Sequence, residues 1–209
     1  MSHDLTLFGI GTSRTMRAHW MLLELGLDYE SRPIGSRSGE TLTDEFRRLN
    51  PRHKIPVLQH GSFVLTESAA IVQYLGETFA DPAKLYMPQD AQGRAALTEW
   101  CYFIMTELDA GSLYVVRRHD GLASIYGEAP AAVDSAKIYF LHNLEAMMPR
   151  IAKAPCLFGE RLSIADVLLT TCLDWAAASD IALPQNVVHY RKRITQRPAY
   201  QAALKRNFP

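Results

Sequence analysis

Only three cysteines occur, Cys101, Cys156 and Cys172, and no two of them form a CxxC pair. An odd, dispersed set argues against a disulfide framework and against a structural zinc site. No stretch reaches the ~18 consecutive apolar residues that a membrane-spanning helix needs. The start, Met1-Ser2-His3-Asp4, lacks the basic and apolar regions of a signal peptide. Neither sign of charge is in excess: lysine plus arginine and aspartate plus glutamate number 22 each. No net field therefore draws nucleic acid or a membrane surface, and the nearest basic run, Arg117-Arg118-His119, is too short for a polyanion site. The seven histidines are scattered without HExxH or similar spacing, so no metal is expected. A cytoplasmic, reducing home is the simplest reading of these absences.

What is there can bury a core. The 209 residues are 48% apolar and 21% charged, which suits one or two globular domains. The first 79 residues alternate short strand candidates with helices. Leu5 to Phe8 alternates and ends at Gly9, as a strand does. Residues 14–26 carry a helical pattern, with Met16, Trp20 and Leu23 on one face and Gly26 as a stop. Tyr29 to Pro33 reads as a weak strand and Thr43 to Leu49 as a short helix. Val57–His60 and Phe63–Thr66 form a hairpin across Gly61-Ser62, and a helix follows from Glu67 to Phe79. The order is βαβ, helix, ββα.

Residues 80–90, with two prolines and no periodicity, read as a linker. Beyond it the patterns are helical: 91–117, 131–151, 164–179, 187–195 and 199–206. The segment 164–179 is apolar nearly all round, the mark of a central buried helix. Ser163-Ile-Ala-Asp166 starts it as a capping box, with Leu162 and Val167 placed as a hydrophobic staple. The expected layout is an α/β domain over 1–79, a linker over 80–90 and an all-helical domain over 91–209.

Gly9-Ile-Gly11 after a strand, with Glu30 some twenty residues on, resembles half a dinucleotide-binding fingerprint. Arg14 stands where the third glycine belongs, and no further βαβ units follow, so a nucleotide site is set aside.

Pro56 opens a strand, where it donates nothing to the ladder. A trans bond at a sheet edge is the ordinary case, since only ~5–6% of X–Pro bonds in folded proteins are cis. In the βαβ–α–ββα order of a thioredoxin-like fold, however, this position holds a cis-proline. The residue before it then turns its backbone N–H and C=O outward, where an extended peptide pairs with them.

Four stretches, "TSRTMRAHWMLLELGLDYE", "NPRHKIPVL", "LTESAAIVQYL" and "LFGERLSIADV", resemble the glutathione transferase superfamily, most closely its serine-dependent theta, delta and bacterial members. The resemblance covers essentially the whole chain, with the motifs in the family's order. It implies a thioredoxin-like first domain that binds glutathione, γ-Glu-Cys-Gly, as co-substrate, and a helical domain that contributes the site for a small hydrophobic electrophile.

By the same resemblance, Ile55 before Pro56 pairs with the backbone of the glutathione cysteine. Glu67 and Ser68 hold the γ-glutamyl ammonium and carboxylate at a helix N-terminus, which favours anions. On local grounds alone, Thr66, Glu67 and Ser68 could simply cap and charge that helix. His53 and Lys54 lie where the family holds the glycyl carboxylate. Ser13, four residues before Arg17, fits the catalytic hydroxyl that favours the glutathione thiolate. Thr12 is the rival hydroxyl, one residue of register away, and is counted with the glutathione contacts.

The first loop has no tyrosine, no cysteine stands near Ser13, and the SSCxWRVR pattern of the zeta isomerases is absent. The tyrosine-dependent, omega-type and zeta branches are disfavoured accordingly. Dehalogenation, peroxide reduction and isomerisation remain as subtypes. A non-catalytic member that binds a protein partner or hydrophobic ligand is the alternative. The family also implies a two-fold homodimer, the α/β domain of one subunit against the helical domain of the other.

Overall fold

The computed structural model describes residues 4–209. Two units divide the chain: one runs to Met87 and takes back Thr195–Pro209, the other is Pro88–Ile194. In the first, β1 (Leu5–Ile10) is followed by α1 (Ser13–Glu24) and β2 (Glu30–Gly35). A 3-10 turn (Glu40–Leu42) and α2 (Asp44–Leu49) lead to β3 (Val57–His60), β4 (Phe63–Thr66) and α3 (Ser68–Phe79). The sheet order is β2-β1-β3-β4. Leu7 pairs with Ser31 in parallel and with Leu58 antiparallel, and Leu58 pairs with Leu65 antiparallel. This is the thioredoxin-like order expected from the sequence. Gly61 carries the positive φ, 58°, that the first central position of a primed hairpin turn uses.

Helix α1 is buried more widely than its one-face pattern suggested. Met16, Ala18, Trp20, Met21 and Leu22 are all essentially inaccessible. The reason is a second cover: besides α3, α1 meets α11 (Pro198–Asn207), the last helix of the chain. Tyr200 sets its ring edge-on to Trp20 at 5.1 Å. Arg197 binds the Glu24 carboxylate, which also accepts from the Trp20 indole at 3.0 Å. Hiding one such aromatic side chain contributes roughly 2–3 kcal/mol. The division drawn from the sequence had put everything after residue 90 in the helical domain; this helix joins the first unit instead. Its short, mixed pattern carries no sign of which surface it covers.

The second unit comprises α4 (Ala91–Phe103), a π-helical stretch (Ile104–Leu113), α5 (Tyr114–His119), α6 (Ala123–Tyr126), α7 (Pro130–Glu145), α8 (Met148–Lys153), α9 (Ile164–Ala178) and α10 (Gln185–Thr195). The pattern over 91–117 had suggested one uniform helix. Its middle is π-helical, and there the Ser112 hydroxyl donates to the Glu107 carbonyl five residues back at 2.5 Å. Gly111 makes room, since a Cβ there would stand 2.9 Å from the Thr106 carbonyl oxygen. The segment 131–151 likewise splits, and α8 carries Pro149 in its first turn, where its missing N–H is tolerated.

Helix α9 is buried along most of its length and starts as expected. Asp166 accepts from the Ser163 N–H at 2.8 Å and hydroxyl at 2.6 Å with one oxygen. Its other oxygen accepts from the Leu157 N–H at 2.8 Å and the Tyr190 hydroxyl at 2.6 Å. Leu162 and Val167, the expected staple, are both buried. Among the described residues, no helix is long and apolar enough to cross a membrane, and no cluster of three or more histidines, cysteines or carboxylates is set to hold a metal.

Candidate active site

The turn from β1 into α1 carries the candidate hydroxyls. Thr12 is the N-cap of α1. Its Oγ1 accepts from the Thr15 N–H at 3.0 Å, while the Thr12 N–H donates to the Thr15 hydroxyl at 3.0 Å, a closed capping box. Ser13 is the first helical residue and is half-buried. It sits at the positive end of a twelve-residue helix, where an anion is favoured.

Gly9 explains the glycine pair set aside above. Its φ is +118°, and a Cβ there would meet the Ile55 Cβ at 2.6 Å and the Thr15 Cγ2 at 3.0 Å. The backbone at the end of β1 thus lies directly against Ile55. The Ile55–Pro56 peptide bond is cis, and Pro56 is buried at the start of β3.

At the start of α3, Ser68 is 3% exposed and Glu67 projects into solvent. The buried Arg17 guanidinium donates to the Ser68 hydroxyl oxygen at 3.1 Å. A hydroxyl that accepts from a cation keeps its own proton to give. Glu67 has φ +70°, an unusual value for a residue with a side chain, and such strain collects at functional sites. Its carboxylate pairs with Arg52 at 2.8 Å, both side chains more than half exposed. Arg52 also donates to the Thr66 hydroxyl.

His53, with φ +55°, presents Nδ1 to the Thr41 carbonyl at 2.9 Å. A carbonyl only accepts, so the proton is on Nδ1 and Nε2 is the nitrogen left for a ligand. Lys54 is exposed, and the Asn50 amide donates to its carbonyl at 2.8 Å. The structure thus joins Ser13's turn to Ile55 through Gly9, and Arg17 to Ser68. His53 and Lys54 stand on the loop leading to Ile55.

Behind the turn lies a buried histidine. His19 Nε2 donates to the Gly9 carbonyl at 3.0 Å, and Nδ1 accepts from the Tyr29 hydroxyl at 2.7 Å. Burial lowers its pKa to about 4, with the Arg206 charge a smaller contribution in the same direction. The ring is therefore neutral near pH 7, with both nitrogens committed to Gly9 and Tyr29.

The three cysteines are buried, and burial pushes the Cys101 thiol up to about 12. A groove of about 820 Å³ opens elsewhere, between Thr6 and Phe8 of β1, β2 and α2; Ser13, Ile55 and Ser68 do not line it.

The N-terminal domain of glutathione S-transferases matches residues 3–77, and their C-terminal domain matches residues 103–198. The chain belongs to the glutathione S-transferase family. It is 33% identical to glutathione S-transferase D6 of Drosophila melanogaster over 182 residues, 85% of this chain and 80% of that one. To glutathione S-transferase D7 of the same fly it is 38% identical over 112 residues, 53% of this chain and about half of that relative, 48%. The theta class glutathione S-transferase of Xanthomonas axonopodis pv. citri, solved with glutathione bound, superposes with a TM-score of 0.76 at 27% identity, over 96% of each chain.

Within this glutathione S-transferase fold, three contributors escaped the sequence reading. Arg52 stands inside a quoted motif, and its charge beside His53 and Lys54 was the available signal. Gly9 was seen but assigned to a fingerprint that fails. Asn207, whose contacts with the Ser13 turn are given below, has no sequence signal because 194 residues separate it from Ser13.

Proposed function

We propose that the protein is a glutathione transferase that stabilises the thiolate of bound glutathione with the Ser13 hydroxyl, for attack on a small hydrophobic electrophile. The observation that carries this reading is the division of labour at the α1 start. The Thr12 hydroxyl accepts from the Thr15 N–H and lies 2.9 Å from the Thr15 hydroxyl, whose own proton goes to Asn207; the Thr12 proton is therefore directed at Thr15, and Ser13 is the hydroxyl of the pair that supplies a donor at the helix's positive end. A free thiol with pKa ~8.5 is only a few per cent thiolate at neutral pH; lowering it by two units, roughly 2.7 kcal/mol of differential stabilisation, makes most of it reactive.

Ile55 offers its backbone to the cysteinyl unit. Ser68, held by Arg17, donates to the γ-glutamyl carboxylate, and Glu67 takes the ammonium group. The exposed Arg52–Glu67 pair is worth only ~0–1 kcal/mol, so exchanging Arg52 for a ligand ammonium costs little. His53 and Lys54 face the glycyl carboxylate, and Thr12 supports the loop beneath the thiol.

Titration with glutathione, read by thiolate absorbance, followed by a panel of electrophiles, tests the proposal. Thiolate formation without turnover on any electrophile would return the protein to a binding role. Glu67→Ala and Ser68→Ala are expected to weaken glutathione binding by about 10-fold each, as loss of a charge-assisted hydrogen bond does. Unchanged affinity in both variants would remove these residues from the site.

The reading includes a two-fold homodimer. Phe63 on β4 is 48% exposed and packs its ring 5.3 Å from Tyr74; on α4, Tyr102 is 65% exposed. Exposed rings of this kind support a contact surface. Sedimentation at low micromolar concentration should give about twice the 23.5 kDa chain mass. A single species near the chain mass would remove the dimer.

A further inference from the structure

We infer that Asn207, in the last turn of α11, is a positioning residue for Ser13; this rests on the reading of Ser13 as the thiol activator. A hydroxyl that must meet one sulfur gains from a backbone fixed to within about half an ångström. Residues at the first turn of a helix lack intrahelical partners for their N–H groups and depend on outside contacts. The loop that leads into the Ser13 turn, and the Thr15 side chain within it, take their outside contacts from Asn207.

Asn207 is fully buried and makes three hydrogen bonds to that turn. Its backbone carbonyl accepts from the Gly11 N–H at 2.8 Å. Its side-chain amide donates to the Thr12 carbonyl at 3.1 Å, and its side-chain oxygen accepts from the Thr15 hydroxyl at 2.6 Å. The partners bracket Ser13 on both sides. The neighbouring residue of α11 adds a second grip. The Arg206 guanidinium lies 5.0 Å over the Tyr29 ring. Tyr29 donates to His19, and His19 donates to Gly9 at the head of the same turn.

The chemistry of the asparagine suits the task. One planar amide supplies a donor for Thr12 and an acceptor for Thr15 at once. Aspartate would keep the Thr15 contact but set a carboxylate oxygen against the Thr12 carbonyl. Alanine would keep only the backbone bond to Gly11. A buried amide costs desolvation that an apolar side chain would not, and a fully satisfied polar network repays it in definition of geometry.

The bound thiol's pKa, read by thiolate absorbance, tests this in variants of the full chain. Asn207→Ala is expected to raise that pKa by about one unit and to lower kcat about tenfold at a pH below both values, with glutathione affinity changed less than about threefold. Asn207→Asp, nearly isosteric, should raise it at least as far, and it serves if the alanine variant does not fold. Tyr200→Leu, which loosens α11 without touching the turn, should lower stability and leave the thiol pKa in place. In a Ser13→Ala background, Asn207→Ala should add no further shift, since the two residues act on one interaction.

Should Ser13→Ala raise the thiol pKa while both Asn207 variants leave it unmoved, the inference falls and the reading of Ser13 stands. Should Ser13→Ala itself leave it unmoved, that reading falls and the inference with it. An equal shift from Tyr200→Leu, or full additivity in the double variant, would make Asn207 a general stabiliser and overturn its positioning role.

Discussion

Ser13→Ala is expected to lower turnover about 10- to 100-fold while glutathione affinity changes only a few-fold. A hydrogen bond to a charged group is worth about 1.5–3 kcal/mol, and each 1.4 kcal/mol is a factor of ten in rate. In the proposed mechanism the bond from Ser13 is made to the thiolate, not to the thiol, so its loss acts on reactivity far more than on binding. The same change should raise the pKa of the bound thiol. Thr12→Ala makes the informative contrast. Thr12 caps α1 through Thr15, so its loss should cost about 1 kcal/mol of stability with a smaller effect on the thiol. If Thr12→Ala abolishes turnover and Ser13→Ala does not, the assignment moves by one residue.

Gly9→Ala should destabilise the fold by about 3 kcal/mol or more. Two effects combine there. The φ of +118° is one that only glycine adopts without strain, and the added methyl would stand 2.6 Å from the Ile55 Cβ. Each effect alone costs about 1–3 kcal/mol. For a chain of 209 residues a loss of that size lowers the melting temperature by roughly 6–12 °C. If Ile55 offers its backbone to glutathione as proposed, glutathione binding should weaken further than stability alone explains, because Ile55 is the residue pushed aside. A Gly9→Ala protein with an unchanged denaturation midpoint would contradict the close approach of β1 to Ile55.

The first unit and the start of α9 were legible because their signals are local. Strand alternation at Leu5–Leu7, the Gly61 turn and the Ser163–Asp166 box each lie within a few residues, and each element stands where its pattern puts it. The breaks in the helical unit were less legible. Pro149 and Gly111 were visible as residues, but periodicity runs across both positions, and what decides the outcome at Gly111 is a carbonyl five residues back. Within the candidate site, the hydroxyls and the Ile55–Pro56 pair came from short motifs. The Arg17–Ser68 bond joins residues 51 apart, and the Asn207 contacts join opposite ends of the chain. Spacing rules carry no information about pairs so distant.

The return of α11 to α1 has a consequence for how the protein is made. The surface around Trp20 is translated well before Tyr200 and Asn207, which close over that side of α1. At about 5–20 residues per second, some tens of seconds or less separate Trp20 from Asn207. Throughout that interval a nascent α/β unit holds its strands with one flank of its first helix uncovered. The helical unit, whose residues form one continuous stretch, can complete its own core inside that same interval. Of the two units, the one whose synthesis starts earlier is therefore the one completed later.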